Sequence, residues 1–236
     1  MDETERSGSP GLPTSASKAS AWYRSSVDTF VADILSGPEG QADGARIRPI
    51  VDTLIAAQAR AGFDPMVTQI DAWAEEIKIV AEALEEVSKT RAVRSWSVLF
   101  EFSIPRRQTR PDVILLAEGV VIVLEFKVGA DAFHAADRNQ AADYALDLQD
   151  FHEATHGLVA VPVLVATEAE DSARSVDAQG VHLSTPTQLA GIINEIVESH
   201  GTDEPIDLEI WDGSRYYPTP DILEAAVSIY AGNDIR

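Results

Sequence analysis

Val120-Val-Ile-Val-Leu124 is an unbroken apolar run that passes directly into Glu125-Phe126-Lys127. A β-branched run this short suits a strand covered on both faces, so the fold must supply a layer on either side of it. A second such run, Val113 to Leu116, lies just upstream, and Glu118-Gly119 stands between the two. If Glu118-Gly119 is a two-residue hairpin loop, 117 faces 120, 116 faces 121, and Asp112 faces Glu125. Their Cβ atoms would then be about 4.5–5.5 Å apart on one face. Lys127, two residues beyond Glu125, points to that same face.

Three charges converging at the end of a buried strand are costly unless they are paired or hold a cation. Two adjacent carboxylates repel, and a divalent ion between them removes the repulsion. Hard oxygen ligands suit Mg²⁺ or Mn²⁺, which commonly bind one or two carboxylates with substrate phosphate and water. A lysine beside the ion can hold a phosphate oxygen or assist the attacking water. The plainer alternative is a structural ion pair from Lys127 to Glu125 or Asp112, because a slip of one residue would undo the register.

The rest of the chain frames this hairpin. Residues 1–20 are rich in Ser, Gly, Pro and Thr and are expected to be a disordered tail. Residues 21–65 read as a helical extension, with helices at Ala21–Leu35 and Pro49–Ala61. Residues 66–236 read as the main domain, opening with a helix after Asp64-Pro65 whose stripe is Ile70, Trp73, Ile77, Val80, Ala81, Leu84 and Val87. A strand from Val93 to Ile104 and the two hairpin strands follow. Further along we expect a helix at Ala135–Ala154, a buried strand at Leu158–Ala166, a loop at 168–180 and a helix at Thr187–Glu198. A short strand at Ile206–Trp211 and a helix at Pro220–Tyr230 end the chain. The fold class is α/β, a mixed central sheet flanked by helices.

Net charge is -21, from 18 Lys and Arg against 39 Asp and Glu, which opposes indiscriminate binding to polyanions. The charge is uneven, however. Ser88 to Gln140 holds eight basic and six acidic residues, net +2, while the remainder carries -23. Arg106, Arg107 and Arg110 directly precede Asp112, so a basic rim can border the carboxylates. The chain has no cysteine, which excludes disulfides and thiolate chemistry. It also lacks GxxxxGK[ST], a membrane-length apolar run and a signal-peptide pattern, so a cytoplasmic location is expected.

Pro111-Asp112 followed by Glu125-Phe126-Lys127, with Gln140-Ala-Ala-Asp-Tyr144 on the next helix, resembles the PD-(D/E)XK nuclease superfamily in its RecB-like QxxxY branch. The resemblance spans roughly residues 70–168 and implies a restriction-endonuclease-like fold with Mg²⁺-dependent hydrolysis of DNA phosphodiesters. It implies Asp112 and Glu125 as metal ligands, the Phe126 carbonyl as a third, and Lys127 as the catalytic lysine. Gln140 and Tyr144 would lie near DNA or orient the site. An upstream acid sometimes helps in this family; Glu76 is the candidate, with Glu75 and Glu101 as others, against the plainer reading of a solvated glutamate. The chain also resembles the N-terminal region of large bacterial proteins that join a nuclease-like part to a helicase-type ATPase. That analogy implies a helicase or ATPase partner and a role in defence against foreign DNA.

Two other readings stand beside this one. A catalytically silent nuclease-like module could bind nucleic acid or a partner protein, although a retired site has no reason to keep Asp112, Glu125 and Lys127. His152-Glu-Ala-Thr-His156 matches HExxH, which on a helix could hold zinc with Glu153 as base. Gly157 follows at once, and the expected zincin extension is absent. The plain alternative is histidines at a helix C-terminus.

Overall fold

A computed structural model describes residues 17–18, 20–36, 43–63, 66–104, 109–171 and 175–217. Arg106, Arg107 and the helix expected at Pro220–Tyr230 lie outside the described residues, as does most of the expected tail. In chain order the elements begin with β1 (Ser17–Lys18), β2 (Ser20–Ser26), α1 (Val27–Leu35), α2 (Asp43–Arg60) and α3 (Val67–Ser88). The central part comprises β3 (Ser97–Ser103), β4 (Val113–Ala117), β5 (Val120–Lys127), α4 (Ala135–Phe151) and β6 (Val159–Ala166). Then come β7 (Ser175–Val176), β8 (His182–Ser184), α5 (Leu189–His200), α6 (Leu208–Asp212) and β9 (Arg215–Tyr216).

A mixed seven-stranded sheet runs β2-β3-β4-β5-β6-β8-β7. The pairs from β2 to β5 are antiparallel; β5, β6 and β8 are parallel neighbours. This makes β5 the strand at which antiparallel pairing gives way to parallel. One face is covered by α1, α2, α3 and α5, which contribute Phe30, Leu54, Ile77, Leu84 and Ile193 to the larger core. The other carries α4 and α6 through Tyr144, Leu148 and Trp211. Every residue from Val120 to Phe126 is buried, as a strand between two helical layers requires.

The hairpin register is the expected one, with Val113 opposite Leu124 and Ala117 opposite Val120. Glu118 (φ 43°) and Gly119 (φ 77°) both adopt left-handed backbone, the requirement of a type I′ turn. A Cβ on Gly119 would run into the Thr202 side chain, so glycine is needed here for space as well as conformation.

Four sequence-based expectations are corrected. The helix expected from Ala21 begins only at Val27: residues 20–26 pair along β3, with Tyr23 opposite Phe100 and Arg24 opposite Leu99. Edge pairing overrides the helical spacing of the apolar residues, and Ser26 caps the shortened helix by accepting from Thr29 N at 3.3 Å. The segment read as a helical extension therefore contributes a strand to the sheet. The strand expected at Ile206–Trp211 is instead α6, started by Asp207, whose side chain accepts from Ile210 N at 2.8 Å. Within the expected loop, Ser175 and Val176 pair with β8, and at the end of the expected tail Ser17 and Lys18 pair with β9. Strands of two or three residues have no periodicity to read.

Candidate active site

The charged end of β5 opens into a cleft of about 530 Å³ between α3 and the start of α4. Glu76, Asp112, Glu125, Phe126, Lys127 and Asp137 line it. Asp112 stands one residue before the first ladder pair of β4, and its Oδ2 accepts from Phe126 N at 2.7 Å. That bond ties the two hairpin strands together beyond the regular ladder. Lys127 Nζ donates to Glu125 Oε1 at 2.9 Å and to Gln140 Oε1 at 3.0 Å, and lies 3.7 Å from Asp137 Oδ1. Gln140 in turn donates from Nε2 to the Tyr144 hydroxyl at 2.9 Å. Gln140 and Tyr144 therefore form a second layer that fixes the lysine from behind, consistent with their i, i+4 spacing.

Glu76 is 4% exposed and Glu125 3%, and the Oε2 atom of each lacks a hydrogen-bond partner among the described residues. The plain reading of Glu76 as a solvated helix residue is thereby replaced: burial on the cleft side of α3 gives it carboxylate neighbours. Burial, then the charges of Glu101, Glu125 and Glu75, push its pKa up to about 8. Asp112 is driven well above the ordinary carboxylate range by burial and by Glu125, Glu76 and Glu101, against the opposing Phe126 amide. Glu125 is also raised, by burial first, although Lys127 pulls it down. For Lys127, burial favours the neutral amine, yet Glu125, Asp112 and Asp137 outweigh it and raise the pKa. The lysine is therefore an ammonium at neutral pH, suited to clamp an anionic oxygen rather than to act as a base.

Arg110, expected on the substrate rim, is held in the wall. Its Nε donates to Glu101 Oε2 at 2.7 Å and its guanidinium lies 4.1 Å over the Trp22 ring. The other oxygen of Glu101 accepts from Trp73 Nε1 at 2.7 Å. Trp22 thus supports Arg110 from the face opposite Glu101. Asp137 was not singled out from sequence; its place three residues before Gln140 on the same helical face was the available signal.

The donor set fits a small hard cation. The acidic groups lining the cleft are carboxylates, two buried oxygens lack hydrogen-bond partners among the described residues, and the carboxylates sit close enough to raise one another's pKa values. Among the described residues no three His, Asp or Glu side chains are drawn together as a finished cage, and one oxygen of Asp112 and one of Glu125 are already taken by the Phe126 amide and Lys127.

The HExxH segment is not on a helix. α4 ends at Phe151, and Glu153–Thr155 forms a single 3₁₀ turn. His152 is fully buried, with Nδ1 2.8 Å from Thr155 Oγ1 and its ring against Trp211 and Phe102, whereas His156 is exposed. Burial lowers the His152 pKa to about 4, so it is a neutral core residue.

No protein-family model matches the chain, and no curated protein does. Among solved structures, protein VC1899 from Vibrio cholerae is similar at 10% identity with a TM-score of 0.33, over 74% of this chain and 50% of that one. The chain thus spans about half the length of that protein. The fold and site define the class: an α/β protein with a mixed sheet flanked by helices and a carboxylate–lysine cleft at the end of its central strand. Among the described residues no helix is long and apolar enough to cross a membrane.

Proposed function

We propose that this cleft hydrolyses nucleic-acid phosphodiesters, with DNA as substrate and Mg²⁺ or Mn²⁺ as cofactor. The observation that carries this reading is the meeting of Asp112, Glu125 and Lys127 in one cleft, where buried carboxylate oxygens stand unpartnered. Asp112 and Glu125 would hold the ion, with the Phe126 carbonyl and Glu76 as further oxygen donors. Such an ion supplies charge neutralisation and a more acidic bound water. The protein's own contribution is positional. Lys127, kept protonated by its carboxylate neighbours and oriented by Gln140, offers an N–H to a phosphate oxygen. Tyr144 fixes Gln140, and the hydrophobic layers beneath β5 keep the strand end rigid.

The acidic surface fits an enzyme with weak affinity of its own for DNA, one to which a helicase or ATPase partner delivers substrate in defence against foreign DNA. The test is incubation of linear, supercoiled and single-stranded DNA with Mg²⁺, Mn²⁺ or EDTA, beside Asp112→Ala and Lys127→Ala. Metal-dependent cleavage lost in both variants supports the reading, and cleavage that survives both rejects the site. DNA binding without cleavage by the wild type would mark a silent module.

A further inference from the structure

We propose that Glu101 is a positioning residue for Asp112: it clamps the 110–112 segment by main chain and side chain together and is not itself a ligand. Glu101 sits inside β3 with φ 53°, a left-handed conformation that is costly for a non-glycine residue and uncommon within a strand. The consequence is visible in its neighbours. Phe100 packs in the core on the α1 and α3 side, whereas Phe102, two residues on, packs on the opposite side with Trp211. In regular pleating both would share one face. The ladder to β2 is interrupted at the same point: Ala21 pairs with Phe102 and Tyr23 with Phe100, and no pairing joins Trp22 to Glu101. The register is the same on both sides of Glu101, so no residue is inserted; the left-handed residue turns the strand over within an unbroken register and re-aims its own side chain.

The left-handed turn aims the carboxylate at α3, where it is 5% exposed and both oxygens are engaged. Oε1 accepts from Trp73 Nε1 and Oε2 from Arg110 Nε, each at 2.7 Å. Arg110 is pinned from its other side by the Trp22 ring. At the same residue the main chain of Glu101 donates to the Asp112 carbonyl at 2.9 Å. Glu101 thus grips Arg110 through its side chain and Asp112 through its backbone. These two contacts bracket Pro111 and fix the segment just before β4 begins at Val113. Asp112 then has little freedom, and its carboxylate is left in reach of the Phe126 amide. With both oxygens spent on Trp73 and Arg110, Glu101 has none directed at an ion. A strained backbone tolerated beside a cleft is the pattern expected where geometry serves function.

The functional half of this inference rests on the nuclease reading, so the test includes a measurement that needs neither metal nor substrate. Hydrogen exchange at the Phe126 amide reads the Asp112 bond directly, with Asp112→Ala as the unbonded limit. Glu101→Gly suits the left-handed backbone and should fold; Glu101→Gln keeps an acceptor for Trp73 but turns an amide toward Arg110. Positioning predicts Phe126 exchange at least tenfold faster in Glu101→Gly and intermediate in Glu101→Gln. In the DNA assay it predicts that kcat falls at least tenfold while KM stays within threefold. Phe126 exchange at the wild-type rate in Glu101→Gly, with the Asp112→Ala control fast, overturns the proposal. If exchange accelerates but no variant or wild type cleaves DNA, the clamp stands and the nuclease reading fails. If Glu101→Gly does not fold, Glu101→Gln decides by the same exchange criterion.

Discussion

Lys127 Nζ lies 2.9 Å from Glu125 Oε1, two residues back on the same strand, and Gln140 of α4 takes a second N–H at 3.0 Å. The third acceptor, Asp137, is 3.7 Å away, beyond hydrogen-bond length. Among the described residues one N–H of the ammonium is therefore left without an acceptor, and under the nuclease reading it would meet a phosphate oxygen at the cleft. Lys127→Met should lower kcat by about 10²–10⁴, in keeping with loss of a charge-stabilising donor. Its effect on stability should be small or favourable at low pH, where Glu125 protonates. Single-turnover cleavage and thermal melts at pH 5 and 8 measure the two effects separately.

Under the nuclease reading, Asp137 would compete with phosphate for the same ammonium. Removing its charge should strengthen substrate binding: Asp137→Asn is expected to lower KM for DNA about three- to tenfold with kcat within twofold. A raised KM in steady-state assays would contradict that role.

Glu76 gives the clearest pH signature. Its folded pKa, raised to about 8 from the ordinary 4.5, means that the folded state holds a proton the unfolded chain releases. The associated stability is present below pH 4.5 and is lost as pH rises through 8. Glu76→Gln should therefore stabilise the metal-free protein at pH 8.5, by on the order of a few kcal/mol, and by much less at pH 5. Urea unfolding at the two pH values measures this; a variant less stable than wild type at pH 8.5 would show the carboxylate is not a liability there.

His152 acts with the opposite sign. Its folded pKa is lowered to about 4 from 6.5, so the unfolded chain takes up the proton first and stability falls as pH drops from 6.5 toward 4. The loss attributable to this residue amounts to about 2 kcal/mol between pH 6.5 and 5. Because the raised carboxylates trend the other way, the difference between wild type and His152→Gln isolates it. Zn²⁺ should leave the melting temperature of both unchanged, since His152 is buried against Thr155 and Trp211.

Gly119→Ala should cost about 2 kcal/mol or more. The alanine would be held at φ 77° with its methyl against Thr202. Denaturant midpoints report the loss, and Thr202→Gly in the same chain should recover part of it.

Much of this protein follows from local rules that its sequence states openly. The apolar run 120–124 determines a doubly covered strand, and Glu118-Gly119 determines the turn and hence the register. Register in turn places Asp112 and Glu125 on facing positions, because strand side chains alternate with a period of two. Asp112, Glu125 and Lys127 are legible for this reason, and Gln140 with Tyr144 for their i, i+4 spacing on the following helix. Other features were decided by tertiary structure. Ala21 to Ser26 has helical spacing, yet pairing with the edge of β3 makes it a strand, a long-range gain that local propensity does not contain. Glu76 looks like any charged helix residue until α3 packs its side toward the cleft. Arg110 looks like part of a basic rim until Trp22 and Glu101 enclose it. Glu101 reads in the sequence only as an alternative upstream acid; its left-handed backbone and its grip on Trp73 and Arg110 are set by the packing of α3 and the 110–112 segment around it. The sequence alone thus determines which charges share the strand end; only the packing of α3 and β2 around it decides which are buried, which are neutralised and which face the cleft.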